Sequence, residues 1–213
     1  MTTETAEEGL RERKKRATRQ RIADLATMLF MERGFENVTV AEIAAAANVS
    51  KMTVFNYFPR KEDMFFDRGQ EAADLISRAV LDRPPGTGVS AALRALLLDL
   101  LARRHPLGGL RDGVDPFWQT VLDSPTLRAA ARDSVDALED LLAGLYAQAT
   151  GARPDDPMPA VAAAFTVAAY RPLYLRTVRR LMAGERADDL YREQVALVND
   201  TFDRLDRALA GYG

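Results

Sequence analysis

The 213-residue chain has no cysteine and a single histidine. The first absence excludes disulfides, thiolate zinc sites and a cysteine nucleophile, and is compatible with a reducing compartment. One histidine, no glycine-rich phosphate loop and no ligand cluster at metal spacing give an enzyme little support, so no catalytic residue, cofactor or metal is expected. No apolar run approaches the roughly 18 residues of a membrane span, and no basic segment followed by an apolar core opens the chain. A soluble cytoplasmic protein with no membrane partner is expected. β-Branched residues are sparse and few segments alternate with period two, so the expected fold class is all-α. An excess of one charge is lacking too: the net charge is −2, and bulk charge decides nothing about nucleic acid.

The distribution of charge is uneven. Between Leu10 and Lys61 stand eleven basic residues against five acidic ones, an excess of about +6, so the remainder is acidic. The run RERKKRATRQR, with Arg11, Arg16 and Arg19, reads alone as a solvated helix start or a disordered arm. Immediately downstream, Ile22, Leu25, Ala26, Leu29 and Phe30 form the stripe of an amphipathic helix that Gly34 ends.

Residues 39–58, TVAEIAAAANVSKMTVFNYF, read as two short helices joined by a tight turn. Thr39 is the N-cap of the first, with Val40, Ile43, Ala44 and Ala47 at helical spacing. Asn48 enters the left-handed region at low cost and turns the chain before Ser50 caps a second helix beginning at Lys51. Val54 and Phe58, at i and i+4, anchor that helix in the core. In a helix-turn-helix the second helix lies in the DNA major groove, and its early residues, here Lys51, Met52, Thr53 and Asn56, face base edges. Lys51 can donate to guanine or meet a phosphate, and Asn56 can pair with adenine. Met52 and Phe55 are expected to face DNA because Val54 and Phe58 already occupy the core side. Upstream of such a unit, the basic arm shifts toward phosphate contact, and Lys61 can meet phosphate at the next helix start.

Pro59 stops the recognition helix, and one long helix is expected from near Arg60 through Met64, Phe65, Ala72, Leu75, Ile76 and Val80 to the break at Pro84. This helix is a physical lever between the N-terminal unit and the C-terminal helices. Ser90 is expected to cap a leucine-rich helix, a loop comes after Pro106, and a short helix carries Phe117 and Trp118. Ser124 with Pro125 opens a helix that ends near Gly151. The last two helices span about 158–182 and 188–210, separated by Gly184, and the alanines of the first allow close approach of another helix. Two such helices from each of two chains form a four-helix dimer interface; completing the monomer core is the alternative reading.

Gly34-Phe35, Thr39-Val40, Ile43-Ala44, Ala47-Asn48-Val49-Ser50, Thr53-Val54-Phe55, Tyr57-Phe58 and Lys61-Glu62 with Met64 together resemble the TetR-type (tetracycline-repressor-like) transcriptional regulators in order and spacing. The resemblance is specific over about Arg16 to Ala72 and extends beyond that only in length and helical character. It implies about nine helices: an N-terminal three-helix helix-turn-helix DNA-binding domain over 16–76, and a C-terminal helical ligand-binding and dimerisation domain over 77–213. It implies a homodimer on a palindromic double-stranded DNA operator, released by a small-molecule inducer, and places Thr39, Thr53 and Tyr57 at phosphates. The alternative keeps the fold as an architectural or activating DNA binder without a small ligand. Two departures stand out: Asn48 replaces the usual turn glycine, and Phe55 replaces the usual tyrosine, leaving an apolar contact with thymine methyls. For the ligand site, Phe117, Trp118, Phe165, Tyr170 and Tyr174 are expected around an apolar cavity. Arg171, Arg176 and His105 would be polar contacts, and Pro172 would kink the helix beside it.

Overall fold

The computed structural model of the chain describes residues 3–210, with side chains from Arg13 onward, so the side chain of Arg11 in the basic arm lies outside the described residues. Among the described residues there are ten α-helices and no strand: α1 (Thr3–Arg33), α2 (Val40–Ala46), α3 (Lys51–Tyr57), α4 (Glu62–Phe65), α5 (Gly69–Leu81), α6 (Val89–Ala102), α7 (Asp115–Asp123), α8 (Pro125–Thr150), α9 (Met158–Met182) and α10 (Ala187–Ala208). No helix is long and apolar enough to cross a membrane, among the described residues.

The chain forms two compact units. One comprises the chain up to Asp67 together with Gln119–Ala130; the other comprises Arg68–Trp118 and the chain from Ala131 on. The backbone therefore passes between units three times, and both α7 and α8 have residues in each.

In the first unit the stripe predicted for α1 is buried at Ile22, Ala26, Leu29 and Phe30, and Phe35, Ile43, Val54, Phe58, Met64 and Phe65 of the same unit are buried too. Phe30 lies 4.8 Å from Phe35 and 6.0 Å from Phe65 between ring centroids. Each fully buried side chain of this size contributes about 1.5–3 kcal/mol, which three short helices need because propensity alone does not hold them. The arm does not precede α1 as coil: residues 13–21 continue its helix. In the second unit α10 packs against α6 and α9, and α5 against α6. Val80, Leu93, Leu101, Leu142, Tyr146, Val198 and Phe202 lie in the core of that unit.

Two expectations are corrected. The single helix from Arg60 to Val80 is instead α4 and α5, separated at Phe66 (φ −99°, ψ 38°) and Arg68 (φ −81°, ψ 3°). Phe65 and Ala72 are seven residues apart, two helical turns, so the apolar stripe stays in phase across the break and conceals it. Gly69, a poor helix former, opens α5. Ser90 does not cap α6; Gly88 holds that position, and the Ser90 hydroxyl donates to Asp206 of α10 instead.

Candidate nucleic-acid interface and apolar cavity

Local hydrogen bonds fix the helix-turn-helix. Glu42 N–H donates to Thr39 Oγ1 at 3.3 Å, while the Thr39 amide and hydroxyl both donate to the Glu42 carboxylate at 2.8 Å, a reciprocal capping box. These bonds, the Thr39 amide foremost, hold the Glu42 carboxyl below the usual glutamate range. Asn48 takes φ 51°, the left-handed conformation expected of the turn, and its N–H donates to Ala45 O at 3.1 Å. Ser50 then caps α3, accepting from Thr53 N–H at 3.0 Å.

The caps and turn aim one face of α3 outward. Val54 and Phe58 are buried, whereas Met52 is 69% exposed and Phe55 47% exposed. Lys51 and Asn56 are exposed on the same helix, and Thr53 and Tyr57 are half-buried. Arg16 is exposed on α1, and the Arg19 guanidinium lies 4.6 Å from the Phe58 ring centroid. Lys61 is placed otherwise than the sequence suggests. Its ammonium donates to the Phe35 carbonyl and lies 4.1 Å from the centroid of the Phe35 ring, within the unit's own fold.

The second unit holds an apolar cavity of about 480 Å³. Its wall comes from α5, α6, α8, α9 and α10, and space exists because α5 presents Gly69, Ala72 and Ala73 and α8 presents Ser134 and Ala137, side chains too short to reach the leucines of α6. Of the residues expected around a pocket, Tyr170 lines it. The other expected positions are not among the residues of its wall. Phe165 is 47% exposed and Arg171 is exposed on the outer side of α9. Phe117, Trp118 and Tyr174 form an aromatic chain beside the cavity, with centroids 5.6 Å apart for Phe117 and Trp118, 5.9 Å for Trp118 and Tyr174, and 6.2 Å for Tyr174 and Tyr170. Arg176 pairs with Glu193, and His105 Nε2 lies 3.3 Å from Glu71. Pro172 sits inside α9, which continues through it.

Two features escape a reading of the sequence. Gly109 adopts φ +71°, and a Cβ there would stand 2.3 Å from the Tyr174 ring, so glycine is what lets the aromatic chain close against this loop. Within the first unit, Ser124 Oγ donates to Glu36 at 2.6 Å while accepting from Leu127 N–H at 3.1 Å, binding the start of α8 to the turn after α1. The predicted Ser124 cap signalled the second bond; nothing local signalled the first.

Comparison with known proteins agrees with this architecture. Residues 22–67 match the family model described as bacterial regulatory proteins, tetR family, and residues 118–207 match that described as the MftR C-terminal domain. The HTH-type transcriptional regulator TcmR of Streptomyces glaucescens is 30% identical over 153 residues, covering 70% of this chain and 67% of that protein. The HTH-type transcriptional repressor LfrR of Mycolicibacterium smegmatis is 34% identical over 98 residues, 46% of this chain and 49% of that protein. Among solved structures, the SmeT–triclosan complex aligns with a TM-score of 0.57 at 18% identity, covering 88% of this chain and 91% of that one. NalD, the secondary repressor of the MexAB-OprM multidrug efflux pump in Pseudomonas aeruginosa, aligns with a TM-score of 0.55 at 17% identity, covering 87% and 97%. With its α2–turn–α3 geometry and these matches, the chain belongs to the TetR family of DNA-binding transcriptional regulators.

Proposed function

We propose that this chain is a repressor that holds a palindromic operator as a homodimer and leaves it when a small molecule occupies the cavity of the second unit. The observation that carries the DNA half is the solvent-facing set Lys51, Met52, Phe55 and Asn56 on a helix whose caps and turn fix its direction. In this reading Lys51 and Asn56 contact bases, and Met52 and Phe55 meet thymine methyls. Thr53, Tyr57, Ser50 and the helix start address phosphates, and Arg16 and Arg19 add phosphate contact from α1. Thr39 reaches phosphate only by releasing Glu42. The cavity and its position in a second compact unit support the ligand half, as does the triclosan carried by the SmeT structure of the same fold. The two-fold symmetry of a palindrome asks for two copies of α3 about one helical turn of DNA apart, roughly 34 Å.

The test is a pair of titrations on an operator selected from a random DNA pool. Lys51→Ala and Asn56→Ala are expected to weaken operator binding by about 1–3 kcal/mol each while leaving random-DNA binding nearly unchanged. Equal losses on both DNAs would remove the base-contact assignment.

A further inference from the structure

We infer that the cavity takes an uncharged, largely apolar molecule of drug size that carries an O–H or N–H donor. This inference rests on the reading that the cavity is the inducer site, and it names the class of that inducer.

Charge is excluded by the composition of the wall. Its residues are Gly69, leucines, alanines and Ile76, Val167 and Phe202, with hydroxyls at Ser134, Thr166 and Tyr170, and no Asp, Glu, Lys, Arg or His among them. A charged ligand would leave water there without a counter-ion, and such transfers are strongly unfavourable. Several charges of this unit pair with one another away from the wall. Arg94 pairs with Asp203 at 2.7 Å and also with Asp206, Arg104 with Asp188 at 2.6 Å, and Arg180 with Glu185 and Glu193. His105 and Glu71 stand close in sequence to wall positions but face each other, with His105 Nδ1 accepting from Leu107 N–H at 3.3 Å.

The donor preference comes from two of the three hydroxyls, Thr166 and Tyr170; Ser134 is exposed. Thr166 Oγ1 donates to Ala162 O at 2.8 Å, so the 2.9 Å contact with Tyr146 is made by the tyrosine's hydrogen. Tyr170 directs its hydrogen to Gly108 O over 3.4 Å. With both hydrogens committed, the remaining lone pairs of these two oxygens accept. Burial, reinforced by Tyr174, holds the Tyr170 phenol above the ordinary tyrosine range, and burial pushes Tyr174 up to about 12, so the aromatic side of the cavity stays neutral. The volume of about 480 Å³ lies within the roughly 300–1,000 Å³ of pockets for drug-sized ligands.

Two fluorescent probes with one ring system separate charge from shape: N-phenyl-1-naphthylamine, neutral with an N–H, and 8-anilinonaphthalene-1-sulfonate, its sulfonated counterpart. The full chain is expected to bind the amine at least about tenfold more tightly than the sulfonate. Ala137 lines the cavity yet is exposed on α8, so it accepts a larger side chain without disturbing the core. Ala137→Phe is expected to weaken amine binding about tenfold with operator binding retained, because it occupies the ligand's volume. Ala137→Arg supplies the missing counter-charge and is expected to tighten sulfonate binding. Equal or tighter sulfonate binding by the unmodified chain overturns the inference, as does amine binding untouched by both Ala137→Phe and Ala73→Phe. Amine binding that leaves the operator complex intact supports the ligand class while removing the induction reading, so the two fail separately.

Discussion

The Lys61 ammonium donates to the Phe35 carbonyl and lies 4.1 Å and 5.4 Å from the Phe35 and Phe30 ring centroids. Burial lowers its pKa from the usual lysine value, with Glu36 pulling the other way. A group so placed closes the turn after α1. Lys61→Met, which keeps the stem and removes the charge, is expected to cost about 1–2 kcal/mol in thermal or urea unfolding. The slope of log affinity against log salt is expected to stay the same. A fall of about 1 in that slope would return Lys61 to the phosphate backbone. Local conformation here was readable from sequence, with Thr39 and Ser50 as caps and Asn48 in its turn. Lys61 was not, because its partner is 26 residues away and a lysine at a helix start has the same local signature whether it turns inward or outward.

At the scale of elements, periodicity located nearly every helix, but it is blind to a break that preserves phase, which is why α4 and α5 read as one. It located the corner where α7 ends and α8 begins, but not what that corner packs against. That corner belongs to the first unit and is held there by Ser124 and Glu36. The single helix expected to join the units is therefore replaced by three passages of the chain between them. The Ser124 hydroxyl foremost holds the Glu36 carboxyl below its ordinary value; burial, the next largest effect, opposes it, and Thr126 and Lys61 add to the lowering. A carboxyl depressed in the folded state contributes stability above its unfolded pKa and loses it as pH falls through the folded one. The melting-temperature difference between the native chain and Glu36→Gln is therefore expected to be present near neutrality, to begin shrinking below about pH 4.3, the unfolded glutamate value, and to vanish as pH falls through the lowered folded one. Because Glu36 is exposed, that difference corresponds to less than about 1 kcal/mol. Ser124→Ala is expected to cost about 1 kcal/mol more at every pH through the lost α8 cap. A Glu36→Gln difference that persists unchanged into acid would show that the carboxylate charge contributes nothing at this corner.

For the whole molecule, an interface was expected over the last two helices, and the surfaces of α9 and α10 differ in what they offer a second copy. Outward residues of α10 include Arg192, Glu193, Asp200 and Arg204, and Arg204 pairs with Asp200 at 3.0 Å. On α9, Phe165 and Met158 are 47% and 39% exposed, and Ala168 and Arg171 are exposed with them. Large apolar side chains left in water beside a small one are the pattern of a surface that a partner covers, so Phe165 is the more sensitive probe of dimerisation. Phe165→Asp adds a charge at an exposed position and leaves the unit's own core alone. It is expected to shift sedimentation toward the monomer without lowering the melting temperature of the fold. Operator affinity should then fall by about 100-fold or more, because two half-sites are no longer engaged by linked readers, while binding to an isolated half-site is unchanged. Sedimentation unaltered by Phe165→Asp would take this face of α9 out of the interface, and the two-fold symmetry of the operator would then have to be met by another surface.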